Sequence, residues 1–364
     1  MTMLQRLFDE QGQSPWLLGF DRVGLRSGQL RALVGDGIRG MTTHPGPLTR
    51  ALLRSQVYDL QLTSRVSRGL GPEDAYWDIL VLDVIQALAA LRAIYEGHKG
   101  LDGFVAIDVP PTLAQDTTGL IASARSLQQQ IAQPNLLVTI PATHAGVDAL
   151  RRLAAQGYST NTTAIFSQAR YQQVAEAYIA GLETCPGDLS QVHGLATFGV
   201  GWVGAEVKRR LLALGKAGAG WSPADVALAQ AKLVYGAFAD LFSGARWGAL
   251  TGRGARPQRL AWLSTPVPGP AQADHYYVDR LIGPGTVTIM DDRVITAFED
   301  RGTVERTIDQ GTGEAVGLLC QLGEVGLDMG ELGRELETTH IRAATSSYQA
   351  RIAALGAKML ELSG

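Results

Sequence analysis

The chain has 364 residues, of which 46% are hydrophobic and 18% are charged, a balance that allows a large core and argues against a disordered protein. The formal net charge is -3 and no run of basic residues is present, which argues against a nucleic-acid partner. Because the N-terminal segment lacks an apolar signal core and no stretch approaches about 18 uninterrupted apolar residues, we expect a cytoplasmic protein with no membrane partner.

Short β-type runs alternate with longer helical patterns along most of the chain, which is typical of parallel strands joined by helices. Eight such runs follow one another, and eight parallel strands can close into a barrel. We therefore predict an α/β protein with a single (β/α)8 TIM barrel over residues 1–290. In chain order the runs are "WLLGF", "GIRGMT", "FVAIDV", "LLVTI", "STNTTA", "LATFGV", "RLAWLS" and "TVTIM".

Two helices between these strands have clear start signals. Residues 167–183 open on Ser167 as an N-cap, and residues 222–243 open on a Ser-Pro pair. After the eighth run, residues 291–364 carry helical patterns and no further strand. We expect this segment to be a helical extension packed on the barrel within the same domain, or in contact with a partner chain, with a homodimer as the candidate assembly.

Metal and thiol chemistry have little support in the sequence. Cys185 and Cys320 are the only cysteines, too few for a disulfide framework or a thiolate metal site. No His, Glu and Asp triplet occurs at ligand spacing on the predicted strands, so we expect no metal and no other cofactor. Lysine is also scarce, and none of the five lysines lies on a predicted strand: Lys99, Lys208, Lys216, Lys232 and Lys358.

In a barrel of this kind, functional side chains lie at the carboxyl ends of the strands. Threonine and serine also occur in strands for their β propensity alone. Asn161 and Asp108 are the stronger candidates, because a buried amide or carboxylate needs hydrogen-bond partners. The polar residues expected at the strand ends are Asp21, Thr42, Thr43, His44, Asp108, Thr139, Asn161, Thr163, Thr197 and Ser264.

Long segments of the chain resemble the transaldolase family, specifically the bacterial subfamily also found fused to glucose-6-phosphate isomerase. The resemblance covers essentially the whole chain and implies a barrel of the class I aldolase type with extra N- and C-terminal helices. The similar segments include "SPWLLGFDRVGLRSGQLRALVGDGIRGMTTHP", "PNLLVTIPATHAGVDALRRLAAQGYSTNTTAIFSQ", "AKLVYGAFADLFSGARWGALTGRGARPQRLAW" and "YYVDRLIGPGTVTIM".

The resemblance also implies that the parent chemistry is lost. The family forms a Schiff base on a fourth-strand lysine, and the matching position here is Thr139, whose hydroxyl cannot form an iminium. The acid/base aspartate of the first strand falls on Leu18. A dianionic phosphate would lack charge partners, because the two cationic positions that bind it fall on Trp202 and Pro268.

Other positions change less: the family's strand-three glutamate is Asp108, and the asparagine of its second-strand turn is His44. Two interpretations remain. The barrel serves different chemistry, by acid/base steps of a lyase, aldolase-type or cyclising enzyme on a small, neutral, unphosphorylated substrate; or it is an inactive homologue used for binding or assembly. We favour the first, because the changes concentrate at the strand ends. An enzyme, but not an active Schiff-base transaldolase, is therefore expected.

The predicted site follows from this interpretation. His44, whose unperturbed pKa lies near neutrality, and Asp108 are the acid/base candidates. The three remaining catalytic candidates would polarise a carbonyl or hold a hydroxyl: Thr139, Asn161 and Thr163. The predicted substrate contacts combine flat apolar rings with small hydroxyls: Trp202, Thr197, Ser264, Thr42 and Trp16.

Overall fold

The computed structural model describes residues 1–216, 220–263 and 273–363. Within them, eight parallel strands form a closed barrel in which each strand pairs with the next along the chain and the first pairs with the eighth. The (β/α)8 prediction is confirmed, and every predicted run overlaps one strand. The strands are β1 Ser14–Leu18, β2 Gly40–Thr42, β3 Phe104–Asp108, β4 Leu136–Pro141, β5 Thr160–Ile165, β6 Gly194–Phe198, β7 Arg259–Leu263 and β8 Thr286–Met290.

Helices surround the barrel and extend it at both ends of the chain. Those up to the fifth strand are α1 Met3–Gln11, α2 Arg22–Ser27, α3 Gln29–Gly35, α4 Pro45–Arg54, α5 Asp59–Ser67, α6 Pro72–Gly97, α7 Thr117–Ile131 and α8 His144–Ala154. Those after it are α9 Gln168–Thr184, α10 Val200–Ala213, α11 Pro223–Leu241, α12 Gly244–Thr251, α13 Tyr276–Arg280, α14 Asp292–Arg301, α15 Thr312–Glu324 and α16 Met329–Glu361. None of the described helices has the length and apolar character needed to cross a bilayer.

The two predicted helix starts are confirmed at the level of the cap. The Ser167 hydroxyl accepts a hydrogen bond from the Arg170 N–H at 3.2 Å, which begins α9. The Ser222 hydroxyl does the same for the Asp225 N–H at 3.3 Å, which begins α11. Each cap satisfies one of the backbone donors that the first helical turn leaves unpaired.

Apolar side chains fill the barrel below its carboxyl end. Side chains alternate along a strand, so every second residue points into the barrel. The inward side chains of a strand therefore form successive layers, and the last layer lies at the carboxyl end. Trp16 is 1% exposed and fills this interior together with Leu137, Leu195 and Val287. Gly40 makes room for it, since a Cβ on that residue would lie 2.2 Å from the Trp16 indole.

Buried charges close the opposite end of the barrel. The fully buried Asp102 pairs with Arg39 at 3.0 Å and with Arg259 at 3.1 Å, and it accepts a hydrogen bond from the Ser14 hydroxyl at 2.8 Å. A buried carboxylate with three partners is compensated. We assign this cluster to stability, because this end of a TIM barrel is remote from the strand ends that carry function.

The long helix α16 reaches the carboxyl end of the barrel, where it contacts β5, α4, α6 and α10. Gly333 allows a close approach, because a Cβ there would lie 2.7 Å from the side chain of Ser167. The ion pair between Arg170 and Glu337, at 2.9 Å, fastens the same region. The boundary between a barrel of residues 1–290 and an extension of residues 291–364 stays a prediction, as does the homodimer.

Candidate active site

A cavity of about 440 Å³ lies at the carboxyl ends of the strands and is lined by all eight of them or by the loops that follow them, together with α6 and α16. Most of its wall is apolar or aromatic, and its polar groups cluster on neighbouring strands. The predicted site residues that line it are Thr42, His44, Asp108, Thr139, Asn161, Thr163, Thr197 and Trp202.

Asp108 is the carboxylate of this cavity. It is the last residue of β3, is only partly exposed, and is paired in register with Thr139 of β4. The Thr43 hydroxyl donates a hydrogen bond to Asp108 Oδ2 at 3.1 Å. Burial raises the pKa of Asp108 to about 6, although the Thr43 hydrogen bond and the positive charge of Arg351 act in the opposite direction. A carboxyl group with a pKa near 6 can both accept and return a proton near neutral pH.

A chain of hydrogen bonds crosses three adjacent strands beside Asp108. Thr197 of β6 donates to Asn161 Oδ1 at 2.8 Å, and Asn161 Nδ2 donates to Thr139 Oγ1 at 3.2 Å. The Thr139 hydroxyl oxygen therefore already accepts a hydrogen bond, from the Asn161 amide. The hydroxyl proton of Thr139 has no acceptor among the described residues, so Thr139 presents a donor to the cavity.

Two further threonines line the cavity with less defined roles. The Thr42 hydroxyl is buried and has no hydrogen-bond partner within the described part of the chain. Thr163 lies next to Ala164, whose φ of 63° is in the left-handed region, where the register between β5 and β6 shifts. Such a bulge turns the end of a strand and re-aims its side chains.

His44, the other acid/base candidate, also lines the cavity, but no hydrogen bond joins it to Asp108 in the described part of the chain. Its Nδ1 accepts the Gly46 N–H at 3.2 Å and caps α4, so this nitrogen carries no proton. Burial and the charge of Arg351 lower the pKa of His44, which keeps the ring neutral. Its remaining nitrogen, Nε2, then bears the proton and acts as a hydrogen-bond donor rather than as a base.

The remaining predicted residues lie in four different places. Trp202 of α10 is 42% exposed and forms part of the wall, where its ring meets His340 edge to face at 5.0 Å. Trp16 does not line this cavity, because its indole is buried in the barrel interior beneath. Ser264, like Pro268, lies outside the described residues. Asp21 instead caps α2 and lines a neighbouring cavity.

No lysine is among the described residues that line this cavity. Lys99, Lys208 and Lys216 lie outside its wall. The Lys232 ammonium donates to the Gln310 carbonyl at 2.7 Å, and Lys358 pairs with Asp59 at 2.6 Å. None of the described residues forms a group of three or more His, Cys, Asp and Glu side chains that would hold a metal ion.

The sequence pattern did not point to the wall that comes from helices. Arg351, Tyr76, Tyr348 and His340 all line the cavity from α6 or α16. The Arg351 side chain is buried and donates to the Tyr76 hydroxyl at 3.1 Å, and burial lowers the pKa of His340. These residues lie on helices and not at strand ends, and nothing in the pattern of α16 separates Arg351 from the other arginines.

The closed barrel and the cavity at the carboxyl ends of its strands define a (β/α)8, or TIM-barrel, protein with its candidate active site in the position usual for that fold. Comparison with known sequences gives the family. The sequence model of the Transaldolase/Fructose-6-phosphate aldolase family matches residues 21–355. The chain therefore belongs to this family.

Individual relatives agree with the family match along nearly the whole length. The chain is 38% identical over 351 residues to a protein named transaldolase from Thermobifida fusca, covering 95% of both chains. It is 37% identical over 357 residues to transaldolase 1 of Streptomyces coelicolor, covering 97% of this chain and 93% of that protein. A transaldolase of Mycolicibacterium paratuberculosis is 36% identical over 343 residues, with 93% and 92% covered.

Proposed function

We propose that this chain is an aldolase-type enzyme that works by proton transfer, without a Schiff base, on a small unphosphorylated substrate. The observation that carries the proposal is Asp108, a half-buried carboxyl group with a pKa of about 6 that faces a cavity beside the donor hydroxyl of Thr139. These are the two groups that such a reaction requires, a base and an oxyanion donor, on neighbouring strands.

The absence of a Schiff base is inferred from the resemblance at Thr139 and supported by the position of the lysines. In the family the fourth-strand residue at this place is the reactive lysine. Thr139 carries a hydroxyl instead of an amine, and a hydroxyl cannot condense with a carbonyl to an iminium. A second lysine would have to reach the cavity to replace it. All five lysines lie within the described residues, and none lines the wall.

Asp108 and Thr139 would act on a substrate carbonyl together. Asp108 takes a proton from the carbon next to the carbonyl, the C–H electron pair moves into the new C=C bond, and the carbonyl oxygen becomes the enolate oxygen. The Thr139 hydroxyl donates a hydrogen bond to that oxygen, and Asn161 holds the Thr139 oxygen in place at 3.2 Å. Return of the proton to carbon, or attack of the enolate carbon on a second carbonyl, completes the step.

The walls of the cavity favour a substrate without a phosphate group. Trp202 occupies the place where the resemblance puts a phosphate-binding arginine, and its ring offers an apolar surface instead. The neighbouring wall is aromatic, with Phe166 and Tyr348 among its residues. A dianion buried against these rings would lose hydration and could gain at most one compensating charge, that of Arg351.

Deuterium exchange tests the proposal without knowledge of the second substrate. Hydroxyacetone and pyruvate, incubated with the protein in D2O and followed by proton NMR, should exchange the hydrogens next to the carbonyl faster than without protein. The Asp108→Asn variant should slow this exchange about a hundredfold or more. Asp240→Asn, which changes an exposed carboxylate of α11 away from the cavity, is the matched control and should exchange at the wild-type rate.

Two results would contradict the proposal. Equal exchange by wild type and Asp108→Asn would remove Asp108 as the base. No exchange by the wild-type protein with either ketone would instead favour a binding or assembly role.

A further inference from the structure

Three arginines of the described residues are buried, and two of them are paired with a carboxylate. Arg22 contacts Asp83 at 2.7 Å, and Arg170 contacts Glu337 at 2.9 Å. Arg351 is 8% exposed and has no carboxylate within ion-pair distance in the described part of the chain. A buried guanidinium without a negative partner is costly, so this fold compensates its buried arginines except the one in the cavity.

The Arg351 guanidinium also has unused donors. A guanidinium carries five N–H groups in a planar fork, and the structure shows Nη1 donating to the Tyr76 hydroxyl at 3.1 Å. The Tyr76 and Tyr348 rings lie 5.6 and 6.0 Å from the guanidinium carbon and supply only the weak attraction of a ring face. None of the Arg351 nitrogens is both sealed by protein and unpaired, so its free donors keep access to the cavity.

We propose that Arg351 binds a carboxylate group of the substrate, so that the substrate is an organic acid with one negative charge and an apolar or ring-bearing body. The placement of its reacting end beside Asp108 rests on the proposed function, but the binding of its carboxylate does not. A substrate with one negative charge replaces the neutral substrate expected from the sequence. That expectation considered only residues at strand ends, whereas Arg351 lies on α16.

A carboxylate suits this arginine better than a phosphate does. The planar fork matches the two oxygens of a carboxylate, and one guanidinium balances one negative charge. The cavity histidines, His44 and His340, supply no second positive charge at neutral pH, because burial lowers the pKa of both. Among the described residues of the wall, the other charged group is Asp108, which would repel a dianion.

Calorimetric titration with three ring-bearing probes tests the inference. 3-Phenylpropanoate carries the carboxylate, 3-phenylpropanamide replaces it with a neutral group of similar shape, and phenyl phosphate carries the dianion. We expect the wild-type protein to bind the acid about tenfold or more tightly than the amide, and more tightly than the phosphate. The preference for the acid should disappear in Arg351→Gln.

Two further variants complete the design. Arg342→Gln removes an exposed arginine of the same helix and should leave the preference for the acid unchanged. Arg351→Lys keeps the charge but loses the fork, so its preference should fall between those of wild type and Arg351→Gln, and it also reports on the site if Arg351→Gln fails to fold.

Equal affinity for acid and amide, no binding of the acid at its solubility limit, or a preference that survives in Arg351→Gln would overturn the inference. Tighter binding of phenyl phosphate than of the acid would assign the site to phosphate instead.

Asp108→Asn should retain the preference for the acid. Failure of the proton-transfer proposal would therefore appear as lost exchange with retained acid binding, and failure of this inference as retained exchange without acid preference.

Discussion

Replacement of Asp108 by asparagine should stabilise the protein above pH 6, although it removes the proposed base. Asparagine has nearly the same shape, and its carbonyl oxygen can still accept the Thr43 hydrogen bond that is 3.1 Å long in the structure. The substitution therefore removes the charge while keeping the packing. Stability at the expense of activity is common where a functional group is held in an unfavourable environment.

The magnitude follows from the rise in the pKa of Asp108 from the ordinary value of 3.8 to about 6. A folded-state pKa above the unfolded value means that the ionised carboxylate destabilises the fold, by about 1.36 kcal/mol for each tenfold loss of acidity. Ionised Asp108 should thus cost up to about 3 kcal/mol at pH 8. The cost should fall to roughly half of that value at pH 5 and should nearly vanish at pH 3, where both states are protonated.

Urea unfolding of wild type and Asp108→Asn across this pH range measures the difference directly. We expect the variant to have the higher free energy of unfolding at pH 8 and the two curves to converge as the pH falls from 6 to 4. A difference that does not change with pH, or a variant that is less stable than wild type at pH 8, would refute the assignment of a raised pKa to Asp108.

Two pairs of substitutions test the packing and charge arguments away from Asp108. Gly40→Ala should destabilise the protein by about 1–3 kcal/mol in urea unfolding, because its Cβ would lie 2.2 Å from the Trp16 indole. In a Trp16→Leu background the same substitution should cost much less stability, since the clashing ring is gone. An unchanged loss of stability in that background would contradict the clash. Arg22→Met should lower the free energy of unfolding by about 3–5 kcal/mol, because it leaves the buried Asp83 without its ion-pair partner. Arg351→Met should lower it far less. Equal losses of stability would mean that Arg351 has a carboxylate partner.

Periodicity and turn residues were enough to predict the barrel. Each of the eight β-type runs overlaps one strand, and Ser167 and Ser222 cap the two helices expected after them. These features depend on local sequence, because side-chain alternation and helix caps act over a few residues. Asp108, Thr139 and Asn161 were expected at the strand ends, and the register of β3, β4 and β5 places them side by side.

The sequence could not reveal the contacts that form between distant segments. Trp16 was expected at the substrate, but its place one layer below the strand end buries it in the barrel interior. His44 was expected to act as a base, but its Nδ1 is used by the Gly46 N–H. Arg351 comes from a helix more than 200 residues beyond Asp108, and only the path of α16 across the barrel brings the two charges into one cavity.

Reductive trapping tests the central claim, that this barrel holds no amine able to bind a ketose covalently. Fructose 6-phosphate and dihydroxyacetone are each incubated with the protein and sodium borohydride, and the mass of the intact chain and of its peptides is measured. The wild-type mass should stay unchanged, whereas Thr139→Lys, which places an amine in the cavity, should gain an adduct at position 139. A stoichiometric adduct on any of the five wild-type lysines would contradict the account.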